Sequence, residues 1–210
     1  MGRFDEEKGE MITLLRDRGI TDSQILRAME AVDRHAFVPE PFTSRAYEDS
    51  ALPIGKGQTI SQPYTVAVMT QALGVRPGDR ILEVGTGSGY QAAILAAMGA
   101  RVYSIERNLD LLASARKLLD RLHYRVATRG GDGTVGWTEF APFDGIIVTA
   151  GAPDVPAPLL KQLKEGAKLV VPVGSRDMQS LIVVVRQGEG YARREIEGFK
   201  FVPLIGKMGW

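Results

Sequence analysis

The chain has 210 residues and no cysteine, and its 26 basic and 25 acidic side chains leave a formal net charge of only +1. That excludes disulfides, thiol catalysis and cysteine zinc sites, and it argues against a mainly electrostatic nucleic-acid binder. A hydrophobic content of 44%, with no membrane-length apolar run and no signal-peptide pattern at the charged N-terminus, leads us to expect a soluble cytoplasmic protein with its own core.

In chain order, Phe4 to Arg18 carries Met11, Leu14 and Leu15 among charges and predicts an amphipathic helix ended by Gly19. Thr21 or Asp22 is placed to cap a second helix, with Ile25, Leu26, Met29 and Val32 on one face. Both helices are expected to flank the core by simple packing. Arg34 to Pro41 is expected to be extended, because Pro39 and Pro41 bias the residues before them away from helix. His35 and His123 lack metal-ligand spacing and carboxylate neighbours, so structural or solvated roles are expected, and no metal site is predicted.

Tyr47 to Tyr64, YEDSALPIGKGQTISQPY, reads as a long functional loop. Ser61 stands directly before an apolar helical stretch, Tyr64 to Leu73, ended by Gly74. Its plain reading is helix N-cap, and a cap position also attracts anions.

The stretch Ile81 to Glu106, ILEVGTGSGYQAAILAAMGARVYSIE, then reads as strand, glycine turn, helix, strand. Gly85, Gly87 and Gly89 permit positive φ and let a ligand approach the backbone. Thr86 and Ser88 lie between them. Backbone N–H groups at the helix start suit an anion, and an acid at the tip of the second strand, here Glu106, can accept both hydroxyls of a ribose. The pattern E-x-G-x-G-x-G, from Glu83 to Gly89, is the form seen in class I methyltransferases that use S-adenosylmethionine. Tyr90 at the third fingerprint position disfavours a nicotinamide-dependent oxidoreductase.

Beyond it, Leu109 to Leu122 predicts an amphipathic helix, and Arg125 to Thr128 a third strand. Asp132, followed by Gly133 on a glycine turn, is placed to accept from an adenine amino group. Phe143 to Ala150 is a fourth strand, Pro156 to Leu163 a short helix and Ala167 to Val173 a fifth strand. Gln179 to Val185 and Tyr191 to Phe201 follow as two strands around a GEG turn, with Val183 to Val185 expected to be buried. The fold class is therefore α/β: a class I methyltransferase Rossmann-like doubly wound sheet of about seven strands with an antiparallel edge, plus N-terminal helices. The order of the edge strands is left open.

The sequence resembles the protein-L-isoaspartate O-methyltransferase family over nearly its whole length. The most specific match is GQTISQPY, Gly57 to Tyr64, supported by YEDSALPIG, the motif Glu83 to Gly89, GDG at Gly131 to Gly133 and VPLIG at Val202 to Gly206. The resemblance implies methyl transfer from S-adenosyl-L-methionine to the α-carboxylate of L-isoaspartyl residues, with S-adenosyl-L-homocysteine as product. The ester then closes to a succinimide that partly reopens to aspartate. It implies Ser61 as the active-site residue, Thr59 and Ile60 lining the cleft, and Val202, Pro203 and Leu204 offering backbone to the peptide. Glu83, Gly85, Thr86, Gly87, Ser88, Glu106, Asp132, Gly133 and Tyr64 are expected around the cofactor, although some relatives have histidine at Tyr64 and aspartate is common at Glu83. The expected partners are isoaspartyl proteins and peptides, not nucleic acid or membrane, and a monomer is expected. One domain, 1–210, is expected to divide into a helical and substrate-loop extension (1–74), a cofactor-binding core (75–174) and edge strands with a C-terminal substrate segment (175–210). The alternatives are a class I methyltransferase acting on a small molecule or RNA, and a non-catalytic S-adenosylmethionine-binding adaptor. The position of Thr59 to Ser61 relative to the cleft discriminates between the first alternative and protein repair.

Overall fold

The computed structural model describes residues 2–210. Helices α1 (Arg3–Asp17) and α2 (Ser23–Ala31) open the chain, and Asp22 caps α2 by accepting from Gln24 N. In α1, Ile12 joins Met11 and Leu15 in the core, while Leu14 points to solvent. Two short 3₁₀ helices follow, Arg34–Phe37 and Glu40–Arg45, where an extended segment was expected. The proline rule acts on Val38, which is extended. Pro41 sits in the first turn of the second 3₁₀ helix, where a missing N–H costs nothing.

The expected loop at Tyr47 to Tyr64 contains a hairpin, β1 (Leu52–Gly55) and β2 (Gln58–Ile60). Its strands are too short for alternation to show. Its turn is legible afterwards: Lys56 and Gly57 both have positive φ, 54° and 70°, as a two-residue type I′ hairpin requires. Helix α3 (Pro63–Leu73) ends at left-handed Gly74.

The core alternates β3 (Arg80–Val84), α4 (Tyr90–Ala97), β4 (Arg101–Glu106), α5 (Leu109–Arg121), β5 (Val126–Gly130), β6 (Phe143–Val148), α6 (Ala157–Leu160) and β7 (Leu163–Gly174). Strands β8 (Gln179–Gln187) and β9 (Gly190–Phe199) complete a seven-stranded sheet of order β5-β4-β3-β6-β7-β8-β9. The first five strands are parallel, and β8 runs against both neighbours. The C-terminal edge is therefore a simple meander. Strand β7 begins four residues before the expected start and α6 is shorter than expected. The early residues pair Leu163 with Phe143, and the register then jumps across Gly166, whose φ of 72° suits only glycine well.

Alternation along the strands sorts two apolar layers. Ile81, Val102, Ile147, Val170 and Val183 face α1 to α4. Leu82, Val84, Ile146, Val148 and Val171 face a second cluster with Leu159, Trp137 and Phe143. Val183 and Val184 are buried as expected, and Val185 is half-buried.

Candidate functional site

The strand order reverses at β3. The chain leaves β3 for β4 on one side, and β6 lies on the other. In open α/β sheets ligands bind beyond the carboxyl ends of the strands at such a point. A cavity of about 590 Å³ lies there. One wall is the β3–α4 turn. Gly85, Gly87 and Gly89 have φ of 101°, 53° and 89°. Thr149, just past β6, ties the turn down: its N–H donates to Val84 O (2.9 Å) and its hydroxyl to Gly85 O (2.6 Å). A Cβ on Gly85 would collide with that hydroxyl. Helix α4 starts after Gly89 without a side-chain cap from that residue; the Tyr90 N–H donates to Ser88 Oγ at 3.4 Å, and the N–H groups that follow are left to hold an anion.

Glu106 closes this wall. It is 8% exposed, its Oε2 accepts from Gly87 N (2.9 Å) and its Oε1 from Asn108 N (2.8 Å). The carboxylate thus fixes the glycine turn and the start of α5, and keeps lone pairs for a further donor. Across the mouth, Lys56 at the hairpin tip pairs with Asp110 at 2.6 Å, which draws the Asp110 carboxyl below its usual range.

The opposite wall comes from two distant segments. Thr59, Ile60 and Ser61 leave the hairpin, and Val202, Pro203 and Leu204 return after β9. Val202 O accepts from Gly151 N (2.8 Å) and Leu204 N donates to Gly151 O (2.7 Å), which stitches the C-terminal segment onto the end of β6. Ser61 is not the helix cap. Gln62 occupies that position without a capping hydrogen bond, and Asp49 Oδ1 accepts from Tyr64 N (2.8 Å) instead. The serine hydroxyl is left at the cavity wall, where a second groove also opens.

The sequence profile of the Protein-L-isoaspartate(D-aspartate) O-methyltransferase (PCMT) family matches residues 6–209. A protein-L-isoaspartate O-methyltransferase of Salinibacter ruber is 56% identical, over 97% of this chain and 93% of its own length. One from Syntrophus aciditrophicus is 50% identical over 100% of this chain and 99% of its own. This chain belongs to the protein-L-isoaspartate O-methyltransferase family. A solved protein-L-isoaspartate O-methyltransferase superposes with a TM-score of 0.87 at 28% identity, covering 96% of this chain and 67% of that one. A structure from Plasmodium falciparum, described as a family member in complex with S-adenosyl-L-homocysteine, gives 0.82 at 26% identity, covering 98% and 99%.

Three residues that the family resemblance placed at the cofactor lie off the cavity wall. Glu83 is fully buried beneath the glycine turn. Its Oε2 accepts from Ser104 Oγ, which lies 2.6 Å from Thr86 Oγ1. Burial pushes its carboxyl up to about 8, so it is neutral at pH 7 and braces the turn from below. Tyr64 is half-buried away from the cavity and packs against the first apolar layer, with the Arg18 guanidinium stacked 3.4 Å from its ring centre. Asp132 spends its oxygens on the protein: Oδ1 accepts from Thr134 N (2.9 Å) and Oγ1 (2.7 Å), and Oδ2 from Lys207 N (2.8 Å). Burial alone would raise its carboxyl, but these bonds hold it below the usual range. Its neighbour Gly133 does line the cavity, with Gly85, Thr86, Gly87 and Ser88.

Lys56, Arg107, Asn108 and Thr149 also line the site and were missed. Asn108 had a readable signal, an N-cap residue before an apolar helix; it accepts from Asp110 N and Leu111 N (both 3.1 Å). His35 is structural: it stacks on Phe4 and its Nδ1 meets Tyr47 Oη at 2.8 Å. Among the described residues, no His/Asp/Glu group could hold a metal ion, and no helix is long and apolar enough to cross a membrane.

Proposed function

We propose that the chain is a protein-repair carboxyl methyltransferase that uses S-adenosyl-L-methionine to methylate the α-carboxylate of L-isoaspartyl residues. The observation that carries this reading is the meeting of Thr59, Ile60 and Ser61 with the glycine turn and Val202 to Leu204 around one cavity. The same placement counts against a small-molecule methyltransferase, whose cleft would not need this loop. The site residues fit the cofactor: the glycine turn has no room for a Cβ at Gly85, the start of α4 offers N–H groups to a carboxylate, and Glu106 offers lone pairs to ribose hydroxyls.

When bound, the cofactor supplies an electrophilic methyl on a sulfonium. The acceptor is a carboxylate, already ionised near pH 7, so this chain needs no general base. Its task is to hold one carboxylate oxygen in line with the bond that breaks, an effect of up to about 7–11 kcal/mol. In our reading the Ser61 hydroxyl donates to the carboxylate and orients it. Ile60, Val66, Met69 and Leu204 make much of the surrounding wall apolar. A reaction in which a cation and an anion neutralise each other is helped when water is kept out. Glu83, neutral at pH 7, adds no competing charge beneath the turn.

The test is methyl transfer from labelled S-adenosylmethionine to matched peptides containing L-isoaspartate or L-aspartate. Base-labile incorporation into the isoaspartyl peptide alone is expected, and Ser61→Ala should lower turnover about 10- to 100-fold, the loss of one charged hydrogen bond of about 1.5–3 kcal/mol, with cofactor affinity retained. Equal turnover in the two proteins would remove the role of Ser61. Cofactor binding without incorporation into either peptide would favour the non-catalytic adaptor.

A further inference from the structure

A second groove, about 380 Å³, opens beside the main cavity and shares Thr59, Ser61, Thr149 and Val202 with it. It therefore starts where methyl transfer is proposed and runs away from the cofactor. Phe199 and Phe201, both nearly buried, form its apolar lining, with their rings 6.4 Å apart. At its outer end stand Asp177 and Met178, from the turn between β7 and β8, and Lys200, from the end of β9.

Met178 is the unusual member. It is 70% exposed, the most exposed large hydrophobic side chain among the described residues. The turn that carries it is held in shape, because Ser175 Oγ accepts from Asp177 N (3.3 Å) and Met178 N (3.2 Å) and Gln179 Nε2 donates to Ser175 O. The thioether is thus presented at the rim of a groove leading to Ser61. An isoaspartyl residue lies within a polypeptide, so its neighbouring residues must leave the transfer point along the protein surface. This groove is continuous with that point.

Resting on the repair function proposed above, we propose that Met178 is a specificity-determining residue that receives an apolar side chain flanking the isoaspartyl residue. The charges at the rim do not set the preference. Asp177 and Lys200 are opposite in sign and exposed, where solvent and salt screen each of them. Contact with Met178 and the two phenylalanines removes apolar surface from water, which is the larger effect. A flexible thioether also adapts to flanks of different shape, as a repair enzyme with many damaged substrates requires.

The experiment measures kcat and KM for isoaspartyl peptides that differ at one flanking position at a time, Leu, Gly, Glu or Lys, on each side of the isoaspartate. The wild-type protein, Met178→Leu and Met178→Asp are compared. Wild type should prefer Leu over Glu on one side by about tenfold in kcat/KM, expressed in KM. Met178→Leu should keep that preference, and Met178→Asp should abolish it or turn it toward Lys, with kcat at saturating peptide unchanged. Equal use of all flanks by wild type, or an unaltered preference in Met178→Asp, would overturn the proposal alone. Absence of isoaspartyl-dependent transfer to every peptide in wild type would overturn the repair reading and this proposal with it.

Discussion

The two walls of the cavity are built on opposite principles. The proposed cofactor wall comes from one contiguous stretch, β3 to β4, and its key features act on the backbone: three glycines at positive φ and a carboxylate tied to Gly87 N. The proposed substrate wall joins Thr59 to Ser61 with Val202 to Leu204, segments far apart in the chain, the second of which is stitched to Gly151. The first wall should be brittle, since backbone geometry has no alternative side chain. The second should be tunable, since it is lined by side chains from a hairpin and a C-terminal segment.

The strongest way to break this contrast is Gly85→Ala. A Cβ there meets the Thr149 hydroxyl and a φ of 101°. S-adenosylmethionine affinity should fall more than about 100-fold, because both the clash and the backbone strain act on the turn. Calorimetry on a sample whose circular dichroism is native would check it, and near-normal affinity would show that the turn is adaptable after all.

Glu106→Ala comes next. It removes the acceptor for Gly87 N and Asn108 N and the proposed ribose contact. Affinity should drop about 10- to 100-fold, as expected for losing a charged hydrogen bond of about 1.5–3 kcal/mol. Unchanged affinity would rule out the ribose role.

Glu83 sharpens the comparison from beneath the turn. Its folded-state carboxyl titrates near 8 against the usual 4.5. The folded form therefore holds a proton that the unfolded form has released, and stability contributed by the neutral acid is lost as pH rises. The window runs from 4.5 to 8, with a local slope approaching about 1.4 kcal/mol per pH unit, and the loss levels off above it. Glu83→Gln, a neutral isostere, should flatten this dependence and retain cofactor binding. Denaturant melts across that pH range would check it, and identical slopes in the two proteins would refute a neutral buried acid.

The smallest effect is expected at the mouth. Asp110 and Lys56 pair at the exposed rim, where screening leaves little net gain. Asp110→Asn should change cofactor affinity by about twofold or less, and less still at high salt. A larger loss would mean that the hairpin tip is held shut mainly by this pair.

The glycine turn with Glu106 beside it was readable because glycine spacing and an acid at a strand tip constrain the backbone locally. Helices α1, α2 and α5 were readable for the same kind of reason, through apolar periodicity, and α3 and α4 as apolar stretches closed by Gly74 and Gly99. The β1–β2 hairpin was not: strands of four and three residues give no alternation to count. Nor was the 3₁₀ pair at Arg34 to Arg45, where proline's effect on its predecessor was extended too far along the chain. Glu83, Tyr64 and Asp132, which the resemblance placed at the cofactor, lie off the cavity wall, because a motif names positions and not the direction of a side chain.

By itself the sequence determined the alternating α/β order, the glycine turn with Glu106 beside it, and a family resemblance specific enough to name an acceptor chemistry. Only the tertiary structure decided that Ser61 is released from capping, that Glu83 and Asp132 serve the protein's own framework, and that β8 and β9 form a meander bringing Met178 and Val202 to the same groove. The physical reason is range. Backbone φ, caps and amphipathic faces are set by neighbours a few residues away, whereas burial, protonation and the meeting of two cavity walls depend on which distant segments pack together.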